Sequence, residues 1–173
     1  ICVGATVCTK GDAKALYSFS KAVRQSQVNV HNQSNVIVLG HINVVPHPSI
    51  NTETTKTELG DQGARIDKMV AQVVKTIFAA GKFPIIIGGG HNNAFGNLKG
   101  ASLALGKAIN ALNIDAHSDL RATDYRHSGN GFRYAMEAED RPFLDTYSII
   151  GLHKIYPISY IIELLTERKP KVA

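Results

Sequence analysis

The chain has 173 residues, of which 44% are hydrophobic and 19% are charged, and its formal net charge is +5. This length and composition suffice for one domain with a sizeable core and exclude a globally disordered chain, and no apolar run reaches membrane-spanning length. The basic residues are scattered apart from a small cluster at Arg168, Lys169 and Lys171, without interleaved aromatic residues, so we expect no nucleic-acid partner and no membrane partner.

Strands and helices are predicted in alternation along the chain. In chain order, we predict a strand at residues 1–8, a helix at 12–24, a strand at 35–40 ended by glycine, and a loop over 41–59. A helix at 62–80, a strand at 83–88, a helix at 93–105 and a strand at 108–114 follow. After a loop over 120–131 come a helix at 132–139, a strand at 147–152, a helix at 159–168 and the start of a strand at 171–172. This alternation is typical of an α/β fold with a mostly parallel sheet, and no linker divides residues 1–173 into two domains.

The helix at 62–80 has the clearest pattern. Its apolar residues recur at the i, i+3, i+4, i+7 spacing of one helix face: Ile66, Met69, Val70, Val73, Val74, Ile77 and Phe78. Gly81 stands where a glycine commonly ends a helix. The strand at 83–88 is a continuous apolar run, which is typical of a strand buried on both faces of a parallel sheet.

The chain contains two cysteines, Cys2 and Cys8. Two cysteines provide neither a disulfide framework nor the spacing of a zinc finger. No signal peptide is recognised at the start of the sequence. We therefore expect reduced, buried thiols in a cytoplasmic protein.

Three potential metal ligands follow the predicted strand at 108–114 at alternate positions: Asp115, His117 and Asp119. In an extended backbone, alternate side chains lie on the same face, so these three can converge on one ion. Carboxylate and imidazole ligands suit Mn²⁺, Zn²⁺ or Fe²⁺. Each residue alone has a simpler interpretation, such as an Asx turn at Asp115, but their joint spacing favours a metal site.

A second candidate ligand, His91, follows the apolar and glycine-rich run at 84–90. Sites in open α/β sheets lie outside the carboxyl ends of the strands, and His91 and Asp115 both follow predicted strands. We therefore predict one shared site. His91 could instead begin a helix that Asn92 or Asn93 caps, and the glycine-rich turn could cradle a phosphate, although it lacks the residues of a P-loop.

This set of ligands permits hydrolysis without a protein nucleophile. A bridging carboxylate at Asp115 could hold two cations about 3.5–4 Å apart, with His91 on one and His117 on the other. Two cations would make a shared water acidic enough to attack an sp² carbon near neutral pH and would stabilise the developing charge.

The sequence resembles the ureohydrolase family, which comprises arginases, agmatinases and formimidoylglutamases. The segment 113–119, Asn-Ile-Asp-Ala-His-Ser-Asp, resembles the Asp-Ala-His-x-Asp motif of the family, and Gly-Gly-Gly-His at 88–91 resembles its Gly-Gly-Asp-His segment. The resemblance runs from about residue 36 to residue 152. It implies a three-layer α/β/α fold, a centre with two Mn²⁺ ions, a small amidine or guanidine substrate and a homo-oligomer. It also implies that His91 and Asp119 bind one Mn²⁺, His117 the other and Asp115 both, with Asp115 and His117 as the catalytic residues.

The segment 128–133, Ser-Gly-Asn-Gly-Phe-Arg, resembles a substrate loop of the family. The resemblance implies that His127, Ser128, Asn130 and Arg133 bind substrate, and Arg133 or Arg121 could pair with a substrate carboxylate. Ser128 stands where arginases and agmatinases tend to have His, which resembles the formimidoylglutamase branch. Gly90 stands where the family usually has Asp.

The third metal motif of the family, roughly Ser-x-Asp-x-Asp, does not occur in these 173 residues. We expect the chain to be the N-terminal part of a longer ureohydrolase-like domain that hydrolyses a linear C–N bond with Mn²⁺, as a formimidoylglutamase does. The alternative is a truncated, catalytically silent domain with a role in binding or assembly. A metallophosphoesterase also uses Asp-x-His, but the Gly-Asn-His-Asp/Glu segment of that class is missing.

Overall fold

The computed structural model describes residues 2–6, 37–43, 55–87, 90–153 and 171–172. The strands are β1 (Cys2–Thr6), β2 (Val38–Asn43), β3 (Ile85–Ile86), β4 (Ile109–Ile114), β5 (Leu144–Ile150) and β6 (Lys171–Val172). The helices are α1 (Lys56–Ala79), α2 (Asn93–Leu105) and α3 (Gly131–Met136), with a 3₁₀ turn at Ser128–Asn130 immediately before α3. The helices predicted at 12–24 and 159–168 lie outside the described residues. No helix within the described ranges is long and apolar enough to cross a membrane.

The described strands form two parallel sheets of three strands each, with the orders β2-β1-β3 and β4-β5-β6. Every pairing is parallel, which confirms the predicted α/β fold with a parallel sheet. The prediction of one sheet differs from this result, because β3 and β4 are not paired within the described residues. In β4, Leu112 and Ile114 are largely exposed, at 59% and 77%, so one face of this strand lies outside the core.

Helix α1 begins six residues earlier than predicted. Thr55 and Glu58 form a capping box, in which the Thr55 hydroxyl accepts from the Glu58 N–H and the Glu58 carboxylate accepts from the Thr55 N–H. These two bonds satisfy backbone donors that the first turn of a helix would leave unpaired, which extends the helix back to Lys56. At the other end, Gly81 has φ 66° and its N–H donates to Phe78 O, as predicted for the residue that ends the helix.

Helices α1 and α2 pack closely against each other. A Cβ added to Gly100 would lie 2.5 Å from Ala71 O, and one added to Gly96 would lie 2.9 Å from Val70 Cβ. These two glycines have low helix propensity, but they let the two helix backbones approach. The apolar face of α1 faces α2, except that Met69, which was predicted to lie on this face, is 42% exposed. A buried acidic residue, Asp67, lies on this face instead.

Two other strand predictions differ from the structure. β2 runs through Gly40, which has φ 122°, so this glycine does not end the strand. β3 has only two residues, and Ile85 is exposed, so the prediction of a strand buried on both faces is wrong. An apolar run shows that a segment is hydrophobic but does not show how many neighbours cover it.

A cluster of buried apolar side chains lies beneath the segment that follows β4. It consists of Leu98, Leu120, Phe132, Ala135, Phe143, Leu144, Tyr147 and Ile149. Helices α2 and α3 and strand β5 contribute to it, so the loop after β4 rests on a packed apolar base. This base holds the candidate ligands in place.

Candidate metal centre

The structure brings His91 together with two of the residues that follow β4. His91 lies in the turn between β3 and α2, where the Asn93 N–H donates to Gly90 O and the Ala94 N–H donates to His91 O. Its Nδ1 atom lies 3.2 Å from Asp115 Oδ2 and in direct contact with Asp119 Oδ2. Residues from two strand ends therefore meet, as the α/β pattern predicted.

The two carboxylate oxygens of Asp115 face different imidazoles. Oδ2 faces His91, whereas Oδ1 lies 3.2 Å from His117 Nδ1 and accepts a hydrogen bond from the His117 backbone N–H at 2.8 Å. That backbone bond is an Asx turn, so the simpler interpretation of Asp115 is confirmed, and its role as a metal ligand stays a prediction. Asp115 can therefore contact a ligand on either side while its own turn stays closed.

One ion could be held by His91, Asp115 and Asp119 together. Each offers a ligand atom, and these atoms lie within 4.8 Å of one another. His117 lies on the other side of Asp115, with about half of its side chain exposed. The site therefore consists of a compact group of three residues and an outer histidine, His117. The Asp115 carboxylate lies beside both.

The charges of the site favour a cation. The adjacent Asp119 carboxylate raises the pKa of His91 above its ordinary value, although burial acts in the opposite direction. Burial acts to raise the pKa of Asp115, but hydrogen bonds from His117 and the nearby imidazoles hold it below its ordinary value. A divalent cation among these groups would compete with a proton for the His91 imidazole.

Asp119 has two unusual features. It has φ 50°, a left-handed backbone conformation that is uncommon outside glycine. Its Oδ2 atom is buried, and no donor among the described residues makes a hydrogen bond of acceptable geometry to it, although His91 Nδ1 lies against it. A strained residue that directs a buried carboxylate oxygen at an imidazole fits a metal ligand. Together with Asp115 and His91, it provides the donor atoms that Mn²⁺, Zn²⁺ or Fe²⁺ takes.

Strand β5 holds the ligand segment through a tyrosine. The hydroxyl of Tyr147 donates to Ser118 O at 2.9 Å and accepts from Asn113 Nδ2 at 3.0 Å. Burial raises the pKa of Tyr147, which keeps its hydroxyl protonated. The tyrosine ring stacks on Phe132 with a centroid separation of 4.4 Å, and Phe132 meets the His91 ring edge-on at 5.7 Å. Tyr147 was predicted only as part of a strand, because no local pattern reveals a partner 29 residues away.

The predicted substrate loop lies next to this group and is held by its own side chains. Asn130 is fully buried; its amide donates to Ala122 O and Tyr125 O and accepts from the His127 N–H. The His127 imidazole accepts from the Gly129 N–H. Asn130 and His127 therefore stabilise the loop, and their direct contact with a substrate stays a prediction.

The other predicted substrate residues have different surroundings. Ser128 is exposed and lines a cavity of about 410 Å³ together with His127, Tyr125 and the first turns of α1. Arg133 is half-buried, and its Nε donates to Glu137 at 3.0 Å. Arg121 is exposed, and its backbone N–H donates to Gly129 O, which ties the ligand segment to the loop.

Arg126 and Asp67 form a buried ion pair that was not predicted. Arg126 Nε lies 2.7 Å from Asp67 Oδ2, and Arg126 Nη2 lies 3.1 Å from Asp67 Oδ1. Asp67 has the helical spacing of the buried residues Val70, Ala71 and Val74. A buried acidic residue on an apolar helix face requires a positively charged side chain beside it. The position of Asp67 on this face could therefore have predicted a buried partner such as Arg126.

The chain is similar in sequence to known proteins. The sequence profile of the arginase family matches residues 9–165. A formimidoylglutamase from Corynebacterium efficiens is 39% identical over 83 residues, which cover 48% of this chain and 26% of that protein. A formimidoylglutamase from Klebsiella pneumoniae is 29% identical over 136 residues, which cover 78% of this chain and 39% of that protein. The matched region therefore spans well under half the length of these relatives.

Solved structures show the same fold. The arginase from Bacillus cereus has a TM-score of 0.74 at 19% identity, covering 99% of this chain and 63% of that one. A variant of the formiminoglutamase from Trypanosoma cruzi, solved with Mn²⁺, has a TM-score of 0.70 at 15% identity, covering 99% and 58%. These likenesses confirm the predicted arginase-like α/β fold. With the profile matching more than half of its residues, the chain belongs to the arginase family.

Proposed function

We propose that the chain carries the metal centre of a Mn²⁺-dependent hydrolase that cleaves a linear C–N bond in a small amidine. The observation that supports this most directly is the position of Asp115, whose two oxygens face His91 and His117 separately. A carboxylate between two imidazoles is the arrangement that a bridging ligand of two cations requires. The buried Asp119 oxygen beside His91 adds a further ligand on one side.

In this proposal, His91 and Asp119 would hold one Mn²⁺, His117 would hold the other, and Asp115 would contribute to both. When bound, Mn²⁺ supplies Lewis acidity and lowers the pKa of water. Asp115 and His117 are exposed enough to meet a substrate at the mouth of the site, with side-chain exposures of 23% and 51%. Tyr147 and Asn113 keep the ligand segment in the position from which these groups act.

The substrate we propose is a formimino compound such as N-formimidoyl-L-glutamate. Eight curated relatives of known name are formimidoylglutamases, with identities between 29% and 41%. Ser128, exposed in the loop beside the ligands, is the residue that the resemblance to that branch predicts. His127 and Arg133 flank it, and Arg133 or Arg121 would meet the substrate carboxylate.

We further propose that residues 1–173 correspond to the N-terminal part of a longer hydrolase domain that works in the cytoplasm as a homo-oligomer. A second function is supported by the small number of ligands. Four candidate side chains among the described residues are few for two cations, and the exposed residues Asp140 and Asp145 do not have the Ser-x-Asp-x-Asp spacing. The alternative is a domain that binds metal or a partner without turnover.

Titration of the chain with Mn²⁺, followed by electron paramagnetic resonance, tests the metal centre. We expect binding by the wild-type chain and loss of binding in Asp115→Ala. Asp145→Ala removes an exposed carboxylate at the other end of β5 and should bind Mn²⁺ as the wild type does. Equal Mn²⁺ binding by Asp115→Ala and the wild type would contradict the bridging role.

Activity distinguishes the two functions. The loaded chain is incubated with N-formimidoyl-L-glutamate, agmatine or arginine, and formamide, ammonia or urea is measured. Release of formamide from the first substrate alone supports a formimidoylglutamase. Release of product from any of the three substrates would refute the silent domain.

A further inference from the structure

The guanidinium of Arg126 joins three parts of the chain. Beyond the two bonds to Asp67, its Nη2 donates to Asn92 O at 2.7 Å. Its Nη1 donates to His127 O and to Asn130 Oδ1, each at 2.8 Å. A guanidinium carries five N–H donors, and these contacts engage all three of its nitrogen atoms.

Each of these partners has a defined place relative to the site. Asn92 directly follows the candidate ligand His91 and stands at the N-terminus of α2. His127 and Asn130 bracket the 3₁₀ turn of the predicted substrate loop. Asp67 lies in the middle of α1, the longest helix of the described chain. One planar group therefore connects the ligand turn and the substrate loop to the same rigid helix.

The surroundings prevent the guanidinium from turning. Its Cζ atom lies 5.2 Å from the ring centroids of both Phe95 and Tyr134. Asp67 and Arg126 are buried, at 2% and 8% exposure. A Cβ added to Gly60 would lie 3.0 Å from Arg126 N, so the loop backbone also rests closely on α1. A bidentate Arg–carboxylate pair that also packs against two aromatic rings fixes direction as well as distance.

We infer that Arg126 is a positioning residue. Anchored on Asp67, it fixes the position of the His91 turn relative to the loop at 127–130. This inference rests on the proposed metal centre. Arg126 touches no candidate ligand side chain in the described contacts, so its effect on Mn²⁺ must pass through the backbone of Asn92. Lysine at this position would keep the positive charge but could not make the bidentate pair and both loop contacts at once.

Mn²⁺ affinity and the Mn²⁺ resonance spectrum test this role in the 173-residue chain. We expect Arg126→Lys to weaken Mn²⁺ binding at least tenfold and to broaden the spectrum of the bound ion. Arg141→Lys is the matched control, because Arg141 also donates to a backbone carbonyl, Ser102 O, and lies against an aromatic ring, Phe143. This control should bind Mn²⁺ as the wild type does.

A second variant separates positioning from stability. The double variant Asp67→Leu with Arg126→Met replaces the buried pair by apolar side chains, which often preserves or raises stability. We expect it to be folded by circular dichroism and still to bind Mn²⁺ at least tenfold more weakly, because the tie to Asn92 and the loop is gone. Wild-type affinity and spectrum in this folded double variant would overturn the inference. Absence of Mn²⁺ binding in the wild-type chain would instead refute the proposed metal centre.

Discussion

The hydroxyl of Tyr147 on β5 donates a hydrogen bond to the backbone carbonyl of Ser118, inside the segment that carries the candidate ligands. The same hydroxyl accepts from Asn113 at the end of β4. One buried side chain thus fixes both ends of the segment 113–118. Because Tyr147 is 1% exposed, water cannot replace it in either bond.

Removal of this hydroxyl should therefore be costly. In Tyr147→Phe, Ser118 O and Asn113 Nδ2 lose their partner while buried, so we expect a loss of about 1–3 kcal/mol in the free energy of unfolding. Urea denaturation measures it. Tyr134→Phe is the control, since its half-buried hydroxyl donates to Thr123 O near solvent and should cost less. Equal losses in the two variants would argue against the role of Tyr147.

The two histidines should differ in their effect on metal binding. His91 belongs to the compact group with Asp115 and Asp119, whereas His117 lies outside this group and beside Asp115. We expect His117→Ala to keep one bound Mn²⁺ and His91→Ala to lose the tighter ion. Metal analysis after gel filtration counts the ions. His153→Ala, a histidine beyond the segment, serves as the control; a loss of both ions from His117→Ala would contradict the separation.

Two helical glycines should respond to alanine in opposite ways. In Gly100→Ala the new methyl group would meet Ala71 O at 2.5 Å, which forces α1 and α2 apart and should cost about 1–3 kcal/mol. In Gly63→Ala the methyl group would meet Arg126 Cβ at 3.6 Å, an ordinary contact, so helix propensity should raise stability by about 0.5–1 kcal/mol. Thermal unfolding compares the two. A stabilising Gly100→Ala would show that the helices do not pack as closely as described.

The capping box of α1 should make stability depend on acid. Hydrogen bonds from the Thr55 backbone and hydroxyl lower the pKa of Glu58 below its ordinary value of 4.5. Because the pKa is lower in the folded state than in the unfolded state, the ionised carboxylate stabilises the fold at a pH above the unfolded-state pKa. This contribution is lost as the pH falls through the folded-state pKa. Glu58→Gln keeps the acceptor oxygen but not the charge.

Urea denaturation of both proteins from pH 7 to pH 3 measures this effect. We expect the wild type to be more stable than Glu58→Gln at neutral pH and the difference to shrink below about pH 4.5. Only the difference between the two proteins is informative, since other carboxylates titrate over the same range. A difference that stays constant with pH would exclude the charge of Glu58 as its cause.

Much of the fold could be predicted because it depends on local patterns. The helix at 93–105 has the bounds that its residues predicted, and Gly106, with φ 69°, ends it. The start of α1 was not predicted although Thr55-x-x-Glu58 is a recognisable capping box, because the residues of its first turn lack the apolar periodicity of a helix face. The exposure of Ile85 and Ile114 could not be predicted, since it depends on which strands lie beside them.

The candidate ligands could be predicted for a topological reason. Parallel strands end at the same edge of a sheet, so His91 and Asp115 were expected to meet although 24 positions separate them in the chain. The groups that hold the ligands could not be predicted in this way. Asp67 and Arg126 are 59 positions apart, and neither sits at a strand end. Their pairing follows from the packing of a loop on a helix, and no periodic pattern in the sequence predicts that packing.

The left-handed backbone at Asp119 has a consequence for engineering this protein. Glycine would adopt φ 50° without strain, so Asp119→Gly is a substitution that would relax the backbone. A library selected for heat resistance alone would therefore tend to enrich glycine at this position and discard the carboxylate. Thermostability and the proposed chemistry make opposing demands on one residue, so any selection at this position needs metal binding as a second criterion.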